Sequence, residues 1–411
     1  MTAAPFPAPL ALTSYPRARD AWPLDPDVIH LNHGSFGAVP TEVVEHQNAL
    51  RERADRSPVE WFPRIAERVR VAREQTAPFV GALAEDSAFV PNASAAATIV
   101  YNSLRLSVGE EILVTEHGYG AITMGAQRLA RRFGATVRTV ELPLLASEDE
   151  IVQRFADAIT DRTRLIIVDQ ITSPTARVLP TRRIAELAAI RGVRTLVDGA
   201  HAPGLIENAA AQGGGDWWFG NMHKWPSAPR GSALLVTSAV DRQDLWPLID
   251  SWGAPEPYPD RFDTQGTIDA TTYLSTPAAI EFIEREYGWA AARETLPLMA
   301  DAGAEAIAEA LRPFSDEDPL TILPSAAPSM RLIRLPLGLG ASREEADELR
   351  MQLLDEVGVE TAFTSFRGIG YFRLSVHLYT EASDIDAFIE RCVPQLLQRA
   401  GIRTAAQAII A

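Results

Sequence analysis

Between residues 31 and 240 the sequence alternates between segments of helical apolar spacing and short runs rich in β-branched residues. The helical spacing predicts helices over 41–56, 63–80, 93–106, 121–133, 151–159 and 181–191, and the short runs predict strands over 111–115, 136–141, 164–169, 194–198, 217–220 and 232–237. Strands separated by helix-length segments are joined by right-handed crossovers, which demand a mostly parallel sheet with helices on both faces. From 277 the texture changes to a long helix-like region over 277–311, then strand 330–335, helix 342–357, strand 371–379 and helix 383–400. This predicts an α/β protein in three layers: a large mostly parallel-sheet domain over 31–276 and a small C-terminal α+β domain over 277–411. Residues 1–30, which carry six prolines from Pro5 to Pro26, are expected to run irregularly.

Charge and cysteine content narrow the function classes. With 38 basic and 54 acidic residues the formal charge is −16, which disfavours nucleic acid and anionic membranes as partners. A single cysteine, Cys392, leaves no intrachain disulfide and no thiolate cluster, and the seven histidines include no His-Glu-x-x-His pair, so no metal site is expected. The start of the chain lacks a basic region followed by an apolar run, and no stretch approaches about 18 consecutive apolar residues. The expectation is a cytoplasmic protein.

Three clusters carry chemistry. In Asn221-Met222-His223-Lys224-Trp225-Pro226, at the end of a strand-like run, Lys224 has neighbours unlike those of a solvated lysine. In a cationic, buried place its amine becomes nucleophilic and can form a Schiff base with an aldehyde; the other reading is a loop lysine lying along Trp225. In Val197-Asp198-Gly199-Ala200-His201, Asp198 ends an apolar strand, where open α/β sheets place their ligand crevice. A carboxylate there can pair with a protonated pyridine nitrogen, or it can simply cap a helix. The segment 91–98, with Pro91 and Asn92 leading into small residues, reads as a helix start whose free amides suit a phosphate group.

Together with Leu31-Asn32-His33-Gly34-Ser35-Phe36-Gly37 and Thr115-Glu116-His117-Gly118-Tyr119-Gly120-Ala121, these clusters give the chain its likeness. It resembles the fold-type I pyridoxal-phosphate enzymes of the class V aminotransferase group, in the isopenicillin N epimerase-like branch. The resemblance implies pyridoxal 5'-phosphate as cofactor, with Lys224 holding its aldehyde and later moving protons, Asp198 on the pyridinium and His201 on the phenolic oxygen. It implies that Ser94, Ala95, Asn221 and His223 hold the phosphate, that His117 stacks on the ring with Tyr119 as the alternative, and that Ser173 supports the phenolic oxygen. Gln170 stands where the group often has histidine and is given no role. Gln265-Gly266-Thr267 resembles the segment that relatives extend into a neighbour's phosphate site, which implies a homodimer with a shared active site and Thr267 as a cofactor ligand.

Substrate recognition is expected from Arg373, Asn32, His33 and Tyr119. Residues 371–379 alternate strictly, with Phe372, Leu374, Val376 and Leu378 on the face that must pack inward and Tyr371, Arg373, Ser375, His377 and Tyr379 on the other. The Arg373 guanidinium offers a planar fork for a substrate carboxylate. The reactive loop cysteine of the group's desulfurases is absent, since 361–370 contains none. The branch resembled implies an epimerase or racemase acting at Cα of an amino acid, with a C–S β-lyase or an aminotransferase as alternatives; His33, Tyr119 and His377 are the candidates for a second proton donor.

Overall fold

In a computed structural model the described residues, 18–237 and 239–402, form two compact units. One is Val39–Ser173 with Val178–Arg285; the other comprises the described parts of 1–38 and 286–411 together with Pro174–Arg177. The contact-defined boundaries therefore fall at 38/39 and 285/286, against the 30/31 and 276/277 read from the sequence. The motif 31–37 belongs to the smaller unit because it bonds there: the Ser375 N–H donates to the Leu31 carbonyl at 3.1 Å, and the Asn32 side chain donates to the Thr361 carbonyl at 2.8 Å. Of the irregular 1–30 segment, 1–17 lies outside the described residues; the remainder holds a 3-10 turn at Ala18–Ala21 and a strand, Ile29–His30, parallel to Val359–Glu360.

The larger unit is built on a seven-stranded sheet. Its strands are β1 (Ser87–Val90), β2 (Glu111–Thr115), β3 (Thr136–Val140), β4 (Thr163–Asp169), β5 (Arg194–Asp198), β6 (Trp217–Asn221) and β7 (Ala233–Thr237). In space they run β1-β7-β6-β5-β4-β2-β3, and every pairing is parallel except the two made by β7. Helices Gly120–Phe133, Glu148–Ala158, Thr181–Ile190 and Ala209–Gly213 supply the crossovers in chain order. The central strands are buried on both faces, as a sheet covered by helices requires. Ile112, Val114, Leu165, Ile167, Leu196, Trp217 and Phe219 share one face with helices Ala93–Ser103 and Gly120–Phe133. Because side chains alternate along a strand, Asp169, Asp198 and Asn221 end β4, β5 and β6 on that same face.

The smaller unit carries a four-stranded antiparallel sheet of β8 (Leu320–Thr321), β9 (Met330–Arg334), β10 (Phe363–Phe366) and β11 (Ile369–Ser375), in the order β10-β11-β9-β8. Helices Trp289–Leu311, Arg343–Val357 and Ala382–Arg399 accompany it. Ser342 caps its helix with Glu345 at N3, so the helix begins one residue later than the apolar spacing indicates. The region 277–311 is two helices, Thr276–Glu286 and Trp289–Leu311, because Gly288 takes a positive φ of 75° between them. The strand expected over 371–379 ends at Ser375, since His377 and Thr380 close a turn through mutual backbone and hydroxyl bonds of 2.9 and 3.0 Å. Both of its faces are buried, so Tyr371, Arg373 and Ser375 are interior residues as Phe372 and Leu374 are.

Phe372 stacks on Phe388 with ring centroids 4.5 Å apart, both fully buried. Truncating Phe372 to alanine should cost about 3–5 kcal/mol, read as a fall in the urea midpoint, whereas Val108→Ala at a surface position should stay within about 0.5 kcal/mol of wild type. Equal midpoints for the two variants would contradict this packing.

Candidate active site

The carboxyl ends of parallel strands are where such a sheet opens its crevice, and here they carry a row of polar groups. Asp198 is 3% exposed; its Oδ1 accepts the Ala200 N–H at 2.9 Å, and the Gly199 N–H is held by the Phe219 carbonyl at 2.8 Å. Burial pushes the Asp198 carboxyl above the ordinary range, while the Ala200 N–H and the nearby Lys224 ammonium work the other way. Gly199 is required: a Cβ there would lie 2.3 Å from the Trp218 indole nitrogen. Trp218 is fixed in turn by Gln170, whose Oε1 accepts the indole N–H at 2.9 Å and whose Nε2 donates to the Ala209 carbonyl at 2.9 Å. Gln170 thus seats the Asp198 turn from below, a positioning role that the sequence did not disclose.

Lys224 is 8% exposed, with Nζ 3.0 Å from His201 Nε2. Its turn is braced from both sides. The Met222 N–H donates to the Ser232 carbonyl at 3.0 Å, the Ala228 N–H to the Met222 carbonyl at 3.1 Å and the Ser227 N–H to the Lys224 carbonyl at 2.9 Å. Ser227 takes a left-handed φ of 59° to close it, the kind of local strain that a rigid site retains. Asn221 joins this turn to the helix Ala93–Ser103 by accepting the Ala93 N–H at 2.9 Å, and Asn92 caps that helix by accepting the Ala95 N–H at 2.9 Å. Ser94 stands exposed in the first turn, where the backbone amides point outward.

His223 departs from the simple expectation of a phosphate donor. Its Nδ1 lies 3.0 Å from the Ser232 carbonyl and so carries the proton, while burial and the Lys224 charge lower its pKa to about 4. The ring is neutral at pH 7, and Nε2 is an acceptor until an anion beside it raises its proton affinity. His117 departs further: it is 0% exposed and its Nε2 donates to the Leu142 carbonyl at 2.8 Å, so no ring face stands open to a cofactor. Tyr119, the alternative that the sequence allowed, stands at the N-cap of Gly120–Phe133 and is 47% exposed.

The remaining expected residues lie elsewhere. Ser173 is half-buried just beyond the short Ile171–Val178 bridge, and Thr267 is exposed one residue after Gly266, whose φ is 81°. In the smaller unit Arg373 is buried, and its Nη2 donates to Asn32 Oδ1 at 3.2 Å and Ser35 Oγ at 3.3 Å. Ser35 also donates to Asn32 Oδ1 at 2.7 Å, so Ser35, given no role from the sequence, fixes the arginine and the asparagine together. His33 is buried beneath Tyr379, with Nδ1 3.1 Å from its hydroxyl, and stacks on His377 at 3.8 Å. Asp169, also missed, ends β4 in register with Asp198.

A buried carboxylate, a buried amine, a histidine touching that amine and a helix start braced by Asn221 make a donor set suited to an aromatic aldehyde bearing a phosphate. Solved structures agree on the fold. A mutant of C-DES with glycine covalently linked to its PLP cofactor superposes with a TM-score of 0.75 at 19% identity, covering 91% of this chain and 98% of that one. A cysteine desulfurase from Thermococcus onnurineus gives 0.74 at 18% identity, covering 97% and 100%. The architecture is that of the fold-type I pyridoxal-phosphate enzymes. The chain belongs to the class-V aminotransferase family, whose model matches residues 39–310, and pyridoxal 5'-phosphate is its cofactor. It is 31% identical to the isopenicillin N epimerase of Streptomyces clavuligerus over 92% of this chain and 97% of that one. It is also 26% identical to a probable chloroplastic L-cysteine desulfhydrase of Arabidopsis thaliana, over 88% and 81%.

Two measurements probe the site. Gly199→Ala must displace the Trp218 indole and with it the Asp198 turn, so cofactor affinity should fall by roughly tenfold or more in a titration of the apoprotein; unchanged affinity would show that the turn tolerates the move. The depressed pKa of His223 means that its neutral form stabilises the fold fully above about pH 6.5, and this is lost as pH falls toward 4. The Tm of the His223→Asn apoprotein should therefore drop less than that of wild type between those two values, and parallel curves would contradict the assignment.

Proposed function

We propose that this protein removes the Cα proton of an amino acid and returns a proton from the other side, an epimerase or racemase reaction. The observation that carries the reading is the buried Asp198 and Lys224 pair in a chain that matches an isopenicillin N epimerase along nearly its whole length. When bound, pyridoxal phosphate supplies an electron sink for charge developing at the carbon next to the substrate amine. In this reading the Lys224 amine holds the cofactor aldehyde at rest and, once released, moves the proton at Cα. Asp198 keeps the pyridine nitrogen protonated, His201 and Ser173 attend the phenolic oxygen, and Tyr119 covers the ring. Ser94, Ala95 and Asn221 take the phosphate, together with His223 in its doubly protonated form. Arg373, fixed by Asn32 and Ser35, clamps the substrate carboxylate, with His33 placed behind Asn32. The reading includes a homodimer in which the exposed Thr267 reaches the partner's phosphate group.

A second reading, β-elimination across a C–S bond, draws on the likeness to L-cysteine desulfhydrases. A persulfide-forming desulfurase route is poorly served: the single cysteine, Cys392, is buried in the last helix and its thiol is pushed up to about 12.

Both readings break the Cα–H bond without a keto-acid partner. With an accepted amino acid in heavy water, deuterium should enter Cα of recovered substrate with inversion. Pyruvate and ammonia in its place would select the lyase, and strict dependence on added keto acid would overturn both in favour of transamination. Lys224→Ala should lower kcat by about 10³-fold or more, and borohydride should no longer fix the cofactor to the protein. Lys224 is the chain's single lysine, so a wild-type protein in which borohydride fixes no cofactor would defeat the assignment.

A further inference from the structure

The site contains a buried carboxylate to which the proposed mechanism gives no part. Asp169 ends β4 beside Asp198 of β5, in register in a parallel pair, and the two project on the same face of the sheet. Both are buried. The groups facing them are the Asp198 carboxylate itself, the Lys224 ammonium from the turn after β6, the phenol of Tyr101 from helix Ala93–Ser103 and the backbone N–H of Tyr119 from the turn after β2. Gly118 in that turn comes so close that a Cβ there would sit 3.7 Å from Asp169 Oδ2. Two carboxylates held side by side out of water do not both ionise, and the nearby lysine offers a single positive charge. Ala200 donates its N–H to Asp198 at 2.9 Å, and the Tyr119 backbone N–H faces Asp169.

We propose that Asp169 is a positioning residue of the cofactor site: as a neutral acid it leaves the pair's one negative charge on Asp198, and its carbonyl oxygen anchors the turn that presents Tyr119. Burial and the charge of Asp198 favour the protonated form of Asp169 and outweigh the Tyr119 N–H and the Lys224 charge, which favour the ionised one. The bare pair would otherwise divide one proton between two equivalent positions and halve the charge available to the pyridine nitrogen.

This rests on the assignment of Asp198 and Lys224 to pyridoxal phosphate. The test compares wild type, Asp169→Asn and Asp169→Ala as apoproteins titrated with pyridoxal phosphate, with their Tm values and the pH profile of the bound cofactor's absorbance. Asparagine is neutral and keeps the carbonyl acceptor, so its affinity should stay within about threefold of wild type and its apoprotein Tm within about 2 °C, with the pH profile unmoved. Alanine removes the acceptor for Tyr119 and should weaken binding by about tenfold or more. An ionised Asp169 would make the asparagine variant shift the profile to lower pH and bind as poorly as alanine, and that result overturns the proposal; so does an alanine variant indistinguishable from wild type. A wild-type protein that took up no pyridoxal phosphate would instead defeat the cofactor assignment itself.

Discussion

Asp198 and Lys224 are both withdrawn from water, and ionisable groups in that position persist only where fixed dipoles and counter-charges meet them. Much of the larger unit can be understood as the apparatus that makes this tolerable. The parallel register of β4, β5 and β6 puts Asp169 beside Asp198, with Asn221 two residues beyond on the same face; the Ala200 amide meets Asp198; His201 meets Lys224. A second layer lies behind the first. Trp218 fills the space that only glycine at 199 leaves open, and Gln170 ties the indole to the Ala209 carbonyl. Removing any of these parts would leave a buried charge without its partner or a turn without its support, and both are costlier than the loss of one contact.

The smaller unit solves the same problem for a cation. Arg373 is buried on a strand whose two faces are both covered, and its guanidinium is held by Asn32 and Ser35 from a motif more than three hundred residues earlier in the chain. The N-terminal motif therefore belongs to this unit by hydrogen bonding, whatever its place in sequence. The His33, His377 and Tyr379 cluster is likewise interior, with the rings stacked and the phenol bonded to the imidazole. Burial takes these histidines out of the class of freely accessible proton donors.

Neither reaction assigned to relatives of this chain requires a different cofactor or anchor. Epimerisation and β-elimination share removal of the Cα proton and diverge only afterwards, in whether a proton returns from the opposite side or a β-substituent leaves. That choice depends on the few groups around the substrate rather than on the Asp198 and Lys224 pair, which explains how relatives of both kinds coexist at comparable identity.

The alternation of helices and strands from 111 to 237, the mostly parallel sheet and the Lys224 and Asp198 clusters were legible in the sequence because they depend on local periodicity and on residue types that have few other uses beside one another, whereas the strands Ser87–Val90, Leu320–Thr321 and Phe363–Phe366 were not read from it. Strand ends such as Glu111–Thr115 and Arg194–Asp198 could be read to the residue, since a polar side chain stops an apolar run there. What tertiary structure decided is what meets each side chain. The sequence of Thr115 to Ala121 offers both His117 and Tyr119 to a ring, and only the Leu142 carbonyl, arriving from the next strand's end, takes His117 inward and leaves Tyr119 outside. Gln170 and Asp169 look like an ordinary strand end until β5 and Trp218 are laid beside them. The alternation over 371–379 marked one buried face but could not reveal that the other is buried too, or that the strand stops at Ser375. Periodicity records how a segment is built; burial and protonation are set by neighbours distant in the chain, and those exist only once the fold has formed.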